Sequence, residues 1–372
     1  MAGQVSSTFE GVFKDRRVLV TGHTGFKGGW LCMWLHRLGA KVTGISLPPE
    51  DGPSFFAAGG IANLIESRFA DITSQDALNA TVADVDAEIV FHLAAQALVR
   101  RSYARPVETF MTNVIGTANV LEAALKMPSL RAALVVTSDK SYENKGWVWG
   151  YRETDPMGGD DPYSASKGCT ELLTTSYQRS FFVDQNGPFL ASARAGNVFG
   201  GGDWSEDRLI PDIIRAILAG DAPVIRNPAS VRPWQHVLEP LSGYLALAQR
   251  MVTDGRAVAE PFNFGPGPEA TVDVATLTDM ILAAWPGVAQ RPVARAQTGN
   301  ALHEAVQLRL DSSKAAVRLG WRPQLSLSEA VGMTVAWYSA HAAGADMQRL
   351  SIQQIETYTA RMDGAHCPEK PA

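Results

Sequence analysis

Tyr163 and Lys167 stand four residues apart in the segment DPYSASKG, where the apolar pattern predicts a helix over residues 163–182. Side chains at that spacing lie one turn apart on the same face of a helix. A tyrosine with its usual pKa of about 10 is a poor base at neutral pH, but a neighbouring ammonium favours the phenolate. Tyr163 is therefore predicted to take a proton from a substrate hydroxyl while hydride leaves the adjoining carbon.

Ser138, Asp139 and Lys140 form a second reactive group, at the carboxyl end of a predicted strand at residues 133–138. Ligands of open α/β folds bind at the carboxyl ends of the strands, so Ser138 is placed to bond a substrate oxygen beside Tyr163. Simple alcohol oxidation requires neither Asp139 nor Lys140, whereas an acid and a base together suit elimination of water. The alternative interpretation is that Asp139 and Lys140 form a solvated turn.

A glycine series in the segment TGHTGFKG follows the first predicted strand and opens a helix. Its GxxGxxG spacing suits a tight turn, a close backbone approach to a pyrophosphate and close packing of helix on strand. The helix N-terminus then offers amide groups to the phosphates. The alternative is a tight turn without a ligand. The loop residues predicted to contact a dinucleotide are Gly22, His23, Thr24, Gly25, Phe26, Lys27 and Gly28.

The sequence indicates the choice between NAD and NADP less directly than it indicates dinucleotide binding. NAD sites usually carry an acidic residue at the end of the second strand, but this chain has Ser46 and Leu47 there. No arginine stands at that point to bind a 2′-phosphate, and His23 and Lys27 could approach the cofactor instead, so NAD is favoured over NADP. Asp71 is predicted to accept a hydrogen bond from the adenine amino group, or else to cap the following helix.

The composition is that of a globular protein, with 46% hydrophobic and 19% charged residues among 372. Lysines and arginines are scattered and the net charge is −5, so nucleic acid is not an expected partner. No apolar stretch reaches the roughly 18 residues of a membrane span, and the N-terminus lacks a signal-peptide core, so we expect a cytoplasmic protein without a membrane partner. Cys32, Cys169 and Cys367 show no CxxC spacing, which favours a reducing compartment. The seven histidines show no HxxxH or HExxH spacing, so no metal is expected.

The elements that must position these residues alternate between short β-branched runs and longer helical patterns. This alternation predicts an α/β fold with a doubly wound parallel Rossmann sheet. Strands are predicted at residues 17–21, 41–46, 67–71, 88–94, 133–138 and 189–193, and helices at 28–38, 75–83, 106–126 and 163–182. After about residue 197, Gly and Pro interrupt shorter elements, which indicates a smaller, interleaved C-terminal substrate-binding lobe. Later helices are predicted at 327–340 and 351–361.

The predicted organisation is a NAD-binding Rossmann domain at 16–196, a mainly substrate-binding lobe at 197–345 that interleaves with late Rossmann elements, and a C-terminal helix and tail at 346–372.

Together these motifs resemble the extended short-chain dehydrogenase/reductases, and within them the NAD-dependent epimerases and dehydratases of nucleotide sugars. The similarity runs from about residue 17 to 361. The glycine loop and YxxxK are shared across the superfamily, whereas TGHTGFKGGWL, SDKSYEN and RPWQHV are far narrower signals. Other matching segments are HLAAQ, YSASKG, RAGNVFGGGDW and LGWRP.

The resemblance implies a hydro-lyase that converts CDP-D-glucose to CDP-4-dehydro-6-deoxy-D-glucose and water, on a route to the deoxysugars of lipopolysaccharide O-antigen. It implies that Tyr163 is the base for oxidation at carbon 4, that Lys167 tunes it and binds the nicotinamide ribose, and that Ser138 holds the hydroxyl. Asp139 matches the acid that protonates the departing carbon 6 hydroxyl. Lys140 stands where dTDP-glucose dehydratases carry a Glu that removes the carbon 5 proton, which leaves the identity of that base open.

The resemblance also extends the list of expected contacts. It implies cofactor contacts from Asp71, Ile72, Ala94, Ala95 and Gln96, and diphosphate contacts from Asn197, Arg226 and Arg232. Arg194 is expected to be structural, and His303 and Glu304 to lie where the small lobe approaches the nucleotide. Relatives imply a homodimer or homotetramer built on helices 106–126 and 163–182.

Three other functions stay open at this stage. A nucleotide-sugar 4-epimerase would keep Tyr163 and Lys167 but would need no acid at Asp139. A 4,6-dehydratase could act on another nucleotide sugar, because no residue reads the cytosine ring by a derivable rule. A non-catalytic NAD-binding scaffold would have no use for Tyr163, Lys167 and Ser138 together. The pair Asp139 and Lys140 favours a dehydratase.

Overall fold

The computed structural model describes residues 8–287, 293–295 and 308–365. Within them the strands are β1 Arg17–Thr21, β2 Lys41–Ser46, β3 Glu66–Phe69, β4 Ile89–His92, β5 Ala132–Val136, β6 Phe189–Arg194, β7 Val198–Phe199, β8 Val224–Ile225, β9 Val231–Pro233, β10 Gln235–His236, β11 Phe262–Asn263, β12 Thr271–Asp273 and β13 Ala294–Arg295. The helices are α1 Phe26–Arg37, α2 Phe55–Ala58, α3 Gln75–Thr81, α4 Val99–Ala104, α5 Pro106–Phe110, α6 Gly116–Leu125, α7 Pro162–Ser180, α8 Leu209–Ala219, α9 Leu238–Asp254, α10 Val274–Ala284, α11 Ser313–Leu319, α12 Leu327–Ala342 and α13 Met347–Ala365.

Seven of the described strands form one sheet in the order β11-β6-β5-β4-β1-β2-β3, and every neighbouring pair is parallel. The strand order reverses at β1, with β2 on one side and β4 on the other. Ligands of such sheets bind at that crevice, beyond the carboxyl ends of the strands. The predicted doubly wound α/β fold is confirmed.

The central strands β4 and β5 are apolar at successive positions and buried along their whole length, as in a sheet that is covered on both faces. Val18 and Val20 of β1 pack into one hydrophobic core with Trp30 of α1, whereas Leu19 packs into the opposite core with Leu121 of α6. Side chains along a strand alternate between the two faces, so one short strand serves both cores. Burying these side chains stabilises the fold by about 25 cal/mol for each Å² of apolar surface removed from water.

The helix predicted as one uninterrupted element over residues 106–126 contains a wide turn. It begins at Pro106, passes through a π-helical turn at Met111–Ile115 and continues as α6. Such turns are rare and commonly occur at functional sites. The prediction over 351–361 was too short, because Asp346 accepts a hydrogen bond from the Arg349 amide at 3.0 Å and α13 begins at residue 347.

Elements after residue 197 return to the main sheet, since β11 pairs with β6 and becomes an edge strand. Shorter pairs, β10 with β7, β12 with β9 and β13 with β8, lie outside that sheet. The division into domains at residues 196 and 345 stays a prediction. None of the helices in the described residues combines the length and apolar character that a membrane crossing needs.

Candidate active site

Helix α7 presents Tyr163, Lys167 and Glu171 on one face, all of them buried. The helix begins cleanly because Asp161 accepts a hydrogen bond from the Ser164 amide at 3.0 Å and Pro162 occupies the first turn. Residues at positions i, i+4 and i+8 share a face, so this helix start fixes all three side chains at once. The predicted spacing of Tyr163 and Lys167 on a helix is confirmed.

The electrostatic setting of Tyr163 differs from the expectation. Burial raises the pKa of the Tyr163 phenol, because a phenolate loses hydration there, while a hydrogen bond with Ser138 and the cation Arg208 lower it. The predicted lowering by Lys167 is not found. Burial lowers the pKa of Lys167 itself to about 8, opposed by Glu171, and its ammonium donates to the Val136 carbonyl at 3.4 Å.

Asp139 is 1% exposed at the carboxyl end of β5, in a tight helical turn at Asp139–Ser141. Ser138 Oγ donates to Asp139 Oδ1 at 2.9 Å, and the Lys140 ammonium lies 3.7 Å from the same oxygen. Asp139 Oδ2 has no hydrogen-bond partner among the described residues. The interpretation of a solvated turn is therefore wrong for Asp139, although the Lys140 side chain is 30% exposed.

A glycine is required opposite this carboxylate. A Cβ on Gly196 would lie 1.9 Å from Asp139 Oδ2, so any side chain at that position would displace the acid. Asn197 follows with a φ of +48°, and its buried Nδ2 has no partner in the described part of the chain. The ends of β5 and β6 thus bring Ser138, Asp139 and Asn197 to the same edge of the sheet.

The glycine loop has the shape that a dinucleotide needs. Gly22 has a φ of +81°, and a Cβ there would lie 2.7 Å from the Ala94 nitrogen. A Cβ on Gly28 would lie 2.0 Å from the Gly22 carbonyl oxygen, so α1 packs directly on the turn. The N-cap of α1 is Gly25, which is exposed and supplies no side-chain cap, so amides of the first turn are left for an anion. These residues fit a bound pyrophosphate.

His23 points away from that open surface. Its imidazole is fully buried, with Nε2 2.6 Å from Ser67 Oγ and its ring stacked on Phe69 at 6.1 Å. Burial lowers the pKa of His23 to about 4, so the ring is neutral at pH 7. A Cβ on Gly44 would lie 2.4 Å from His23 Cγ, which shows how closely β2 approaches the ring. A contact of its side chain with the cofactor stays a prediction.

Lys27 turns toward the catalytic residues. Its ammonium lies 5.9 Å from the centre of the Tyr244 ring. Burial lowers the pKa of Lys27 to about 7, repulsion from Lys167 and Arg208 lowers it further, and Asp139 and Asp203 oppose the shift. The amine of Lys27 therefore lies within electrostatic range of Lys167 and Asp139. The position of Lys27 in the glycine loop did not predict this.

The other predicted cofactor contacts lie around the same crevice. Thr24 Oγ1 is 2.7 Å from Ser46 Oγ, so two hydroxyls stand where an acidic residue is usual. Asp71 Oδ1 accepts from the Thr73 amide at 2.8 Å, before α3 begins, and the N-cap of α3 is Ser74, so the capping alternative is wrong. Ile72 is buried, with its carbonyl accepting from Asn119 Nδ2 at 2.9 Å. Phe26 and Ala95 are partly buried, and their contacts with a cofactor stay predictions.

Asn113, which the sequence did not single out, holds the loop after β4 against α7. It accepts from the Gln96 amide at 2.8 Å, donates to the Gln96 carbonyl at 3.0 Å and donates to Ser166 Oγ at 2.8 Å. The wide turn at Met111–Ile115 contains this asparagine. The sequence feature that could have pointed to Asn113 is its polar side chain within an otherwise helical apolar pattern. Arg208 was also missed, because its chain position gave no sign that it acts on Tyr163.

Of the two predicted diphosphate arginines, Arg226 directly follows β8 and Arg232 lies in β9. Arg226 pairs with Asp207 at 2.9 Å and Asp212 at 3.1 Å. Arg232 Nη1 donates to the Val231 carbonyl at 2.9 Å, in the strand that pairs with β12. The contacts of Asn197, Arg226 and Arg232 with a diphosphate stay predictions. His303 and Glu304 lie outside the described residues.

Comparisons with known proteins agree with this geometry. A model of the NAD dependent epimerase/dehydratase family matches residues 18–264. The CDP-glucose 4,6-dehydratase of Salmonella typhimurium is 47% identical over 350 residues, which cover 93% of this chain and 97% of that protein. The dTDP-glucose 4,6-dehydratase of an Actinoplanes species is 30% identical over 343 residues, which cover 87% and 98%.

Solved structures share the fold. The dTDP-glucose 4,6-dehydratase of Bacillus anthracis in complex with NAD has a TM-score of 0.72 at 20% identity, covering 90% of this chain and 99% of that one. The UDP-glucose 4-epimerase of Thermotoga maritima with UDP-glucose has a TM-score of 0.73 at 23% identity, covering 87% and 99%. With its glycine loop, its buried tyrosine and lysine and a family match over most of its length, the chain belongs to the NAD dependent epimerase/dehydratase family.

Proposed function

We propose that this chain catalyses the NAD-dependent dehydration of CDP-D-glucose to CDP-4-dehydro-6-deoxy-D-glucose and water. The observation that carries the proposal is the buried Asp139 carboxylate, which has one unpartnered oxygen and is bonded to the Ser138 that contacts Tyr163. An oxidation alone would have no use for a buried acid beside the base. The relative in Salmonella typhimurium, which covers nearly the whole chain, supports the same activity and the same nucleotide.

In this proposal Tyr163 takes the proton of the carbon 4 hydroxyl, and Ser138 orients that hydroxyl. When bound, NAD would accept the carbon 4 hydride and return it to carbon 6. The glycine loop and the first turn of α1 would hold its pyrophosphate, and Lys167 would bond its ribose. The ketone acidifies the carbon 5 proton, and Asp139 then protonates the carbon 6 hydroxyl so that it leaves as water.

We assign the removal of the carbon 5 proton to Lys140, whose ammonium lies 3.7 Å from Asp139 Oδ1. Elimination needs a neutral amine beside a protonated acid, and that state carries the same number of protons as the ion pair. Lys27 is a further amine of the site and is the natural alternative base.

We also propose a homodimer, with a homotetramer as the larger alternative. The exposed apolar side chains Val107, Met111 and Ile115 recur at every fourth position before α6, and Leu172 is 63% exposed on α7. Such a patch commonly marks a protein interface. A cytoplasmic location, the use of NAD over NADP and a role in deoxysugar synthesis for O-antigen lipopolysaccharide are part of the same proposal.

The deciding experiment offers CDP-, dTDP-, UDP- and GDP-glucose separately and detects a 4-keto product. CDP-glucose labelled with deuterium at carbon 4 should give product labelled on the carbon 6 methyl group, with a solvent proton at carbon 5 and no accumulation of reduced cofactor. Inversion at carbon 4 without loss of water would indicate a 4-epimerase. Stoichiometric release of reduced cofactor would indicate a simple dehydrogenase.

A further inference from the structure

Tyr244 of α9 has a buried hydroxyl that the mechanism above does not use. The residue is 0% exposed, and its hydroxyl has no hydrogen-bond partner among the described residues. Its ring is fixed by an edge-on contact with Phe264 at 5.7 Å, with the Lys27 ammonium above it at 5.9 Å. A buried donor without a partner costs folding free energy, so a site that retains one commonly bonds a ligand with it.

A chain of contacts leads from the Tyr244 ring, through Phe264, to the catalytic acid. Gln235 Nε2 donates to the Phe264 carbonyl at 3.0 Å and to the Gly196 carbonyl at 3.1 Å, and Gly196 borders Asp139 Oδ2. Asp139 and Tyr163 lie close enough to raise the pKa of Tyr244 by their charge. Tyr244 thus approaches the reacting centre from α9, whereas Tyr163 approaches from α7.

Two complementary atoms of the site are left unpaired within the described residues. Asp139 Oδ2 is a buried acceptor, and the Tyr244 hydroxyl is a buried donor. Burial raises the pKa of Tyr244 far above neutrality, so its phenol stays protonated at working pH. A substrate hydroxyl that reached both atoms would satisfy them together.

We propose that Tyr244 is a further catalytic residue, whose hydroxyl donates a hydrogen bond to the departing oxygen on carbon 6 while Asp139 protonates it. This inference rests on the proposed function. The base takes the carbon 5 proton, and the released electron pair forms the double bond between carbons 5 and 6. The bond from carbon 6 to oxygen breaks, and that oxygen takes the Asp139 proton and leaves as water, still bonded to Tyr244.

The test compares Tyr244→Phe with Tyr358→Phe, a matched control. Tyr358 is equally buried, but its hydroxyl donates to Glu239 at 2.6 Å. Each holoenzyme receives CDP-glucose and CDP-6-deoxy-D-glucose, which lacks the departing oxygen. Binding of both compounds, cofactor reduction with the 6-deoxy compound, elimination from CDP-glucose and the melting temperature are measured.

Tyr244→Phe should weaken binding of CDP-glucose or slow its elimination by about 3- to 10-fold, the effect of one neutral hydrogen bond. Binding of the 6-deoxy compound and the cofactor reduction it supports should change less than about twofold, and the melting temperature should not fall, because no bond within the protein is lost. Tyr358→Phe should lower the melting temperature without discriminating between the two compounds.

Equal effects of Tyr244→Phe on both compounds, or a lowered melting temperature without discrimination, would overturn the inference and leave Tyr244 a packing residue. These outcomes are distinct from failure of the proposed function. If the wild-type chain makes no 4-keto-6-deoxy product from CDP-glucose, the proposed function fails and this inference fails with it. If the wild type turns over normally and Tyr244→Phe does not discriminate, the inference alone is wrong.

Discussion

Glu171 and Arg194 form an ion pair of 2.8 Å beneath the catalytic residues, with side chains 2% and 3% exposed. Glu171 lies two turns after Tyr163 on α7, and Arg194 ends β6. Glu171 also accepts a hydrogen bond from Ser192 at 2.7 Å and one from Thr137. The carboxylate therefore ties α7 to β6 and to the residue after β5, and it fixes the height at which Tyr163 and Lys167 stand above the sheet.

Removing one member of this pair should be costly. Glu171→Gln leaves the Arg194 guanidinium buried without a counter-charge, and breaking a buried pair in this way typically costs about 3–5 kcal/mol of unfolding free energy. Glu356→Gln is the control, because Glu356 pairs with Arg37 at 2.8 Å while both side chains are about half exposed, and exposed pairs contribute about 0–1 kcal/mol. Denaturant unfolding of both variants checks the difference, and equal losses would contradict it.

Tyr163→Phe should lower turnover by about 10²- to 10⁴-fold, the usual loss when a positioned acid or base is removed. The ring and its packing remain, so substrate binding should persist. Steady-state rates together with calorimetric binding of CDP-glucose check both expectations. Near-normal turnover would remove Tyr163 from the mechanism.

Asp139→Asn should slow the loss of water more than the first hydride step. The amide has nearly the same shape as the carboxylate, but it has no carboxylic acid proton for the departing hydroxyl. Rapid mixing with CDP-glucose should then show a transient rise in the absorbance of reduced cofactor that the wild type lacks. If both steps slow equally, Asp139 only shapes the site.

Stability should fall in mild acid because buried imidazoles, His92 and His236 among them, are neutral in the folded chain. Burial lowers the pKa of His92 and His236 from 6.5 to about 3, so neither binds a proton in the folded chain at pH 5. The unfolded chain does bind protons below about pH 6.5, so acidification favours it. Their contribution is complete above that pH and is lost progressively toward about pH 3, by about 1.4 kcal/mol per pH unit for each histidine.

His236→Asn tests this directly, because asparagine retains a hydrogen-bond acceptor near the chain but does not titrate. His236 Nδ1 accepts from the Leu238 amide at 3.3 Å, so the acceptor matters as well as the charge. Unfolding free energies measured from pH 7 to 5 should fall less steeply in this variant than in the wild type. Parallel slopes would mean that His236 is protonated in the folded chain.

The proposed dimer predicts that charges on its apolar face cause dissociation. Met111→Glu combined with Leu172→Glu places carboxylates on side chains that are 41% and 63% exposed. Val317→Glu, at a position 81% exposed on α11, is the control. Sedimentation should show monomers for the double variant and an unchanged assembly for the control. An unchanged assembly in both would place the interface elsewhere.

The sequence predicted the residues whose position follows from short-range pattern. Tyr163 and Lys167 needed only helical spacing, and Gly22 and Gly28 needed only the turn between β1 and α1. It did not predict Tyr244, because α9 begins 76 residues after the start of α7 along the chain and reaches the site only through packing against the far side of the sheet.

The sequence also did not predict the directions in which the side chains of the glycine loop point. His23 and Lys27 belong to the same loop, yet burial takes one under β2 and β3 and the other toward Tyr244. A glycine loop fixes its backbone, but the cavities that receive its side chains are made by elements far away in the chain. The pKa of Tyr163 was mispredicted for the same reason, since burial raises it and the groups that oppose burial are Ser138 and Arg208, which are distant in the chain.

The pairing of Phe262 with Ala193 and of Asn263 with Arg194 also bears on synthesis of the chain. When a ribosome has made only the first 196 residues, six strands of the sheet exist but β11 does not. The outer edge of β6, which is buried in the folded chain, is then exposed to solvent without a partner strand. Exposed apolar edges of this kind promote association between chains. A shortened chain that ends at residue 196 should therefore aggregate. A chain in which β6 is paired on both sides must include β11 and so continue past residue 263.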